Sequence, residues 1–240
     1  MARAGRDPRR LVVTVFVGLV GGAALLGVCA YGLSRVIWRG TAEHVWGSYT
    51  TSLAARTPEE LANIAAGCAA LDRREIAPGG QLSFNQIVGQ RVLEAGYQPA
   101  TALMGEQADQ IVGGGICQLS STLYNAALLA GLTIAERHPH TQPVASVPPG
   151  LDATVMYGSR DLRLVNPWEA PLVLRTRAEG LSLRVSFVAR TACPFRGSVE
   201  RQSRALRTGY EVSVDRKLTF ADGQVRQEFV SRDRYLAGGG

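Results

Sequence analysis

From Leu11 through Ser34 the chain carries no charged residue. A bilayer-spanning helix needs about 20 consecutive apolar residues, so this run predicts a transmembrane segment. Arg3, Arg6, Arg9 and Arg10 precede it against the single acid Asp7. By the positive-inside rule that places residues 1–10 in the cytoplasm and everything after residue 34 outside the membrane. Val28-Cys29-Ala30 has the look of a signal-peptidase site, but the uncharged run is longer than the 7–15 apolar residues of a signal peptide. A retained single-pass anchor over 11–34 is therefore the expectation. Cys29 lacks the small residue that precedes a lipoprotein cysteine, which argues against lipidation.

The remaining residues, about 200, suit one extracytoplasmic domain with a tail. Of the formal charge of +6, half sits in the first ten residues, and the mixed charges beyond them give no sign of nucleic-acid binding. The cell wall is the natural partner for such a domain. Besides Cys29 the cysteines are Cys68, Cys117 and Cys193. In an oxidising compartment Cys68 and Cys193 can pair and leave Cys117 reduced. Cys68 also lies on the apolar stripe Leu61, Ile64, Ala65, Cys68, Leu71 of a predicted helix, where a buried unpaired thiol is equally expected.

Residues 35–56 read as a juxtamembrane linker. Thr57-Pro58-Glu59-Glu60 then places capping-box residues three apart with proline at the first helical position, which predicts a helix to about Asp72. Pro78-Gly79-Gly80 is a turn and Gln81 to Phe84 a short strand. Arg91 to Tyr97 is ambiguous. From Cys117 to Ala130 the residues Leu119, Leu123, Ala126, Ala127 and Ala130 recur at helical spacing, and Gly131 stops the helix. Strands are expected at 132–134, 153–157, 162–165, 172–176 and 181–188. A hairpin, Tyr210 to Phe220 and Gln224 to Val230, turns at Asp222-Gly223 and extends a sheet. The whole is an α+β domain over 57–190, with a cysteine-bearing helix on a mainly antiparallel sheet, followed by a strand-hairpin extension over 191–240.

The chemistry centres on Cys117, placed where Gly113-Gly114-Gly115 enters a helix. Glycines permit positive φ and close approach of a ligand. The first helical turn offers unpaired N–H groups and partial positive charge, which favour thiolate over thiol and can hold an oxyanion. Downstream lie His138, His140, Asp152 and Asp161. A thiol at a helix start, an imidazole on the following strand and a carboxylate on the next is the order of a papain- or transglutaminase-like centre. Either histidine fits the role of base, with His140 favoured by the rigid Pro139 before it. A metal site built on His138 and His140 lacks HExxH or CxxC spacing. Serine chemistry of the Ser-x-x-Lys kind fails because Lys217 is the only lysine. No cofactor is expected.

The segment Gly113 to Gly131, continued by Glu136-Arg-His-Pro-His140, Pro149-Gly-Leu-Asp-Ala-Thr-Val155 and Asp161-Leu-Arg-Leu-Val-Asn166, resembles the vancomycin-resistance W (VanW) family. Pro78 to Asn85 and Gly89 to Tyr97 fit the same pattern, so the resemblance runs from about Pro58 to Val188. It implies a bacterial envelope protein, similar to proteins encoded near glycopeptide-resistance genes. Some members resemble peptidoglycan L,D-transpeptidases that use the family cysteine. Carried over, Cys117 is the nucleophile, His138 or His140 the base and Asp152 its partner. Gly113, Gly114, Gly115, Gln118, Ser120, Ser121, Thr122 and Arg137 become candidate substrate contacts, and peptidoglycan stem peptides the substrate. Gly115-Ile116 before the thiol departs from the Ser-x-Gly-Cys surround of the better-known L,D-transpeptidase fold, so shared chemistry would be convergent. The peptidoglycan-binding and G5 modules of many relatives are not found, which leaves placement to the anchor. The alternative is a non-catalytic envelope module, in which the glycine block cradles a peptide carboxylate and Cys117 is packing.

Overall fold

Helix α1 (Pro58–Leu71) begins as its sequence dictates. The Thr57 hydroxyl accepts from the Glu60 N–H and the Glu60 carboxylate accepts from the Thr57 N–H, with Pro58 in the first turn. This computed structural model describes residues 42–104 and 107–236. The expected anchor at 11–34 lies outside them; among the described residues no helix is long and apolar enough to cross a membrane.

The described elements form four antiparallel sheets and three α-helices, an α+β architecture. The largest sheet runs in the order β1 (His44–Ser52), β9 (Ser182–Ala189), β8 (Leu172–Glu179), β2 (Glu75–Ile76). A second joins β3 (Gln81–Ser83), β7 (Arg163–Val165) and β6 (Thr133–Glu136). β4 (Pro99–Met104) and β5 (Gln107–Val112) make a hairpin. The last three strands, β10 (Phe195–Leu206), β11 (Gly209–Phe220) and β12 (Val225–Leu236), form a meander. The short helix α2 (Phe84–Val88) follows β3 directly.

Helix α3 (Ile116–Leu129) is the centre of the core. Leu119, Leu123, Ala126 and Ala127 are fully buried, and each buried leucine contributes about 2 kcal/mol of apolar transfer energy. The helix packs on β1 and β9 of the large sheet, against α1 and beneath β10. Where α1 crosses it, Gly67 has no room for a side chain, because a Cβ there would lie 2.7 Å from Leu119 Cδ2.

Several expectations are corrected. The linker assigned to 35–56 contains strand β1, which pairs with β9 throughout its length. Residues 153–157 are not a strand; this irregular segment carries only an isolated Met156–Arg160 bridge. The tail holds a third strand, β10, beside the expected hairpin. Of the two alternatives for Cys68 and Cys193, the unpaired one is found: both are free thiols, and burial pushes the Cys68 thiol up to about 12.

Strand β1 rides on the backbone of α3. A Cβ on Gly47 would stand 2.3 Å from the Ala130 nitrogen and 2.5 Å from the Ala126 carbonyl oxygen. Backbone atoms of a buried helix cannot yield as a side-chain tip can. Gly47→Ala is therefore expected to lower the unfolding free energy by about 3 kcal/mol, as read from urea denaturation; an unchanged midpoint and slope would contradict this packing.

Candidate active site

Cys117 is the second residue of α3, half-buried, with Gly115 as the N-cap in the left-handed region at φ 91°. Gly113 is also left-handed at φ 89°, while Gly114 would carry a Cβ 2.6 Å from the Ala100 carbonyl oxygen. The triple glycine is thus a backbone requirement. Asn63 of α1, buried, fixes the loop: its amide donates to the Gly114 and Gln98 carbonyls at 3.0 and 2.9 Å. Among the described residues the Cys117 N–H makes no hydrogen bond, so it points a free donor out of the helix start.

The Cys117 thiol donates to the Val155 carbonyl at 3.7 Å and lies close enough to His140 for the imidazole to shift its titration. His140 Nδ1 meets Asp152 Oδ2 at 2.7 Å, and the His140 backbone N–H donates to the same oxygen at 2.6 Å. With Nδ1 engaged, Nε2 is the ring nitrogen left for the thiol. The structure thus brings Cys117, His140 and Asp152 into one chain of contacts. His138 turns elsewhere, its Nε2 3.0 Å from Glu136. Asp161 is also separate: it accepts from the Ser83 hydroxyl and the Asn85 N–H. Neither His140 nor Asp152 sits on a strand, contrary to expectation; both lie in irregular segments after β6.

Electrostatics follow from this geometry. Burial alone would raise the Cys117 thiol, but the His140 hydrogen bond and charge, with Arg91 nearby, outweigh it and hold the thiol below its usual value. Burial would lower His140, yet its bonds to Asp152 and Cys117 raise it to about 9. Burial would likewise raise Asp152, and His140, Arg137 and Tyr235 together keep it below the usual carboxylate range. Both shifts run toward the charged forms, thiolate for Cys117 and imidazolium for His140.

The carboxylate is held by an assembly that sequence reading missed in part. Arg137 was assigned to the substrate, but its side chain is buried. Its Nε donates to the Asp152 carbonyl at 2.6 Å, and its other nitrogens reach Asp152 Oδ1 at 3.2 Å and Asp233 Oδ2 at 2.5 Å. The Tyr235 hydroxyl donates to Asp152 Oδ1 at 2.5 Å and accepts from the Gly150 N–H at 2.7 Å. Asp233 and Tyr235 belong to β12, so the tail meander, read from sequence as a plain sheet extension, supports the site. Nothing local marks them, since the site residues they hold, Arg137 and Asp152, lie more than eighty residues away. Tyr235→Phe leaves the Gly150 N–H and one Asp152 oxygen without this partner, and is expected to cost about 2 kcal/mol of stability in chemical denaturation. A change below 0.5 kcal/mol would contradict the contact.

The polar residues of α3 are likewise internal. Gln118, Ser120, Ser121 and Thr122 are buried. Gln118 bonds Arg56, Thr51 and the Ser52 carbonyl, and Thr122 bonds Thr51 and the Gln118 carbonyl. The Ser120 hydroxyl donates to the Ala153 carbonyl at 2.6 Å, Ser121 accepts from the Ala153 N–H at 2.9 Å, and Asn125 donates to the Leu151 carbonyl at 2.7 Å. Expected as substrate contacts, Ser120 and Ser121 instead strap the Asp152 segment to the helix that carries Cys117. Among the described residues no cluster of His, Cys, Asp and Glu is arranged to hold a metal ion.

At the other end of α3 lies a second feature. Trp46, Trp168, Phe195 and Phe220 pack edge-on and stacked. Beside them a cleft of about 580 Å³ is lined by Trp46, Trp168, Ala170, Pro171, Ala192 and Pro194. The Trp168 indole N–H donates to the Ala130 carbonyl, which places this cleft on the order of 20 Å from Cys117 along the helix.

The model of the family described as "VanW like protein" matches residues 59–188. The protein YoaR of Bacillus subtilis (strain 168), described as uncharacterized, is 39% identical over 140 residues, 58% of this chain and 46% of that protein. The Vancomycin B-type resistance protein VanW of Enterococcus faecalis (strain ATCC 700802 / V583) is 30% identical over 96 residues, 38% of this chain and 35% of that protein. The aligned part thus spans less than half the length of these curated relatives. No solved structure matches the chain. The matched segment holds Cys117, His140 and Asp152, it covers more than half of the sequence, and the chain belongs to the VanW family.

Proposed function

We propose that the protein is a cysteine-dependent acyltransferase of the cell wall, acting on peptidoglycan stem peptides in the manner of an L,D-transpeptidase. The observation that carries this reading is His140 bonded through Nδ1 to Asp152 and near enough to Cys117 to lower its thiol. In this mechanism the Cys117 thiolate attacks the carbonyl of the third stem residue and forms a C–S bond. The oxyanion lies against the Cys117 N–H at the start of α3. His140 gives its proton to the departing amine as the C–N bond breaks, leaving a thioester. An acceptor amine on a neighbouring strand then attacks, His140 takes its proton, and the C–S bond breaks. Asp152 keeps the imidazole in one tautomer throughout. Water in place of the amine gives a carboxypeptidase. Neither outcome requires a cofactor.

The cell-wall substrate is supported by the name of the Enterococcus relative, a vancomycin-resistance protein. It also agrees with the uncharged run at 11–34, which we propose anchors the chain with its domain outside the membrane. A second reading, a non-catalytic module that binds peptidoglycan or a partner, is favoured by the aromatic cleft around Trp46 and Trp168. Mass spectrometry of disaccharide-tetrapeptide incubated with the full chain separates the readings. Stems linked from third residue to third residue establish transpeptidation, and shortened unlinked stems establish hydrolysis. Untouched substrate beside folded protein contradicts the enzyme reading and leaves the binding module.

A further inference from the structure

Arg91 lies beside the glycine loop that delivers Cys117. Its stem packs so closely on Gly113 that a Cβ there would stand 2.7 Å from Arg91 Cβ. One end of its guanidinium is fixed: Nη1 donates to Asn85 Oδ1 and to the Gly89 carbonyl, both at 2.8 Å. Asn85 is itself held, donating to the Met156 and Arg160 carbonyls at 3.2 and 2.7 Å. The guanidinium carbon sits 5.9 Å from the centre of the Tyr157 ring. The other end, Nε and Nη2, makes no hydrogen bond among the described residues. Nor does any carboxylate among them form an ion pair with Arg91. Asp161, the acid whose charge it feels, is engaged by Ser83, the Asn85 N–H and Arg163.

A half-buried arginine anchored by one nitrogen, with its remaining donors unused, is suited to an anionic ligand with two oxygens. Met156 and Tyr157, 40% and 52% exposed, give the same place an apolar rim. They follow Val155, whose carbonyl accepts from the thiol. Arg91 and Cys117 are also close enough to influence each other's charge.

We propose that Arg91 forms a carboxylate-binding subsite beside Cys117, so that the peptide substrate carries a free carboxylate near the carbonyl under attack. This deepens the acyltransferase reading and rests on it for the identity of the peptide. Two carboxylates of a stem peptide have the required chemistry: that of the departing terminal residue, and one on the side chain of the third residue.

The test uses iodoacetate and iodoacetamide on the full chain. Both alkylate the same thiolate with loss of iodide and differ in one carboxylate, so their rate ratio cancels any change in thiolate population. The expected ratio for Cys117 exceeds that of a free thiol, and Arg91→Gln lowers it about tenfold, the worth of a charge-assisted hydrogen bond. Arg91→Lys, which keeps the charge and loses the fork, is expected to fall between them. A wild-type ratio at or below that of the free thiol overturns the subsite, and this holds even if a variant fails to fold. Tetrapeptides amidated at either carboxylate then assign the source by which one loses turnover in the wild type. A high haloacetate ratio with no peptide turnover leaves the subsite standing and defeats the acyltransferase reading. Turnover with a low ratio does the reverse.

Discussion

Cys117→Ala is expected to reduce stem-peptide turnover by about 10⁴-fold or more, because in the proposed mechanism it removes the covalent nucleophile and leaves only binding and the oxyanion donor. The fold should hardly notice. The thiol's one hydrogen bond to the main chain is a long contact to the Val155 carbonyl, and the side chain is half-buried, so stability should change by about 1 kcal/mol or less. The loop before it keeps its glycines and its bonds to Asn63. Paired measurement of turnover and thermal unfolding checks both parts. A folded Cys117→Ala protein with undiminished turnover would remove Cys117 from the chemistry.

His140→Gln is the second large effect. The imidazole is the strongest influence holding the half-buried thiol below its usual value. Without it, burial disfavours the thiolate with only the Val155 contact and Arg91 to oppose it, so alkylation near neutrality should slow by about 100-fold. Turnover should fall further, since the proton donor for the leaving amine is lost as well. A pH profile of iodoacetamide labelling, wild type against variant, reads the first part directly. Coincident profiles would show that His140 does not control the thiol.

The same pair makes a less obvious prediction about stability. Taken alone, His140 contributes stability that is full below 6.5 and lost as pH rises through about 9. Taken alone, Cys117 contributes stability present above 9.0 and lost as pH falls through its lowered value. The two contributions run in opposite senses, His140's declining as pH rises and Cys117's declining as pH falls, so together they give a weaker dependence of stability on pH than either group alone.

Legibility of the fold depended on how local its causes are. Helix α1 was readable because its capping box and proline lie within four consecutive residues. Helix α3 was readable from the spacing of Leu119, Leu123 and Ala127, together with the glycines that start it. Strand β1 was missed because a register shift between Val45 and Gly47 breaks its alternation, and Gly47 serves the backbone of α3. Strand β10 was missed because most of its charged and polar residues are exposed, which leaves little alternation to read.

The site divides in the same way. Cys117, the two histidines and Asp152 stood out as residue types in order, with Pro139 favouring His140, and the fold separates the two histidines by turning His138 to Glu136. The roles of Ser120 and Ser121 were misread, because a buried hydroxyl that straps a loop and an exposed one that meets a ligand look alike in sequence. Tyr235 and Asp233 carried no signal, since they reach Asp152 and Arg137 from a tail outside the family match. Arg91 lay in a recognised motif, yet its unused donors emerge only from the contacts around it.

The most direct test of the account is the intact mass of the protein after brief mixing with a tetrapeptide stem and acid quench. A thioester on Cys117, carrying the stem less its fourth residue and absent from Cys117→Ala, is the predicted result. Turnover of the stem by the folded Cys117→Ala protein, or a folded wild type that neither forms the adduct nor alters the stem, would contradict it.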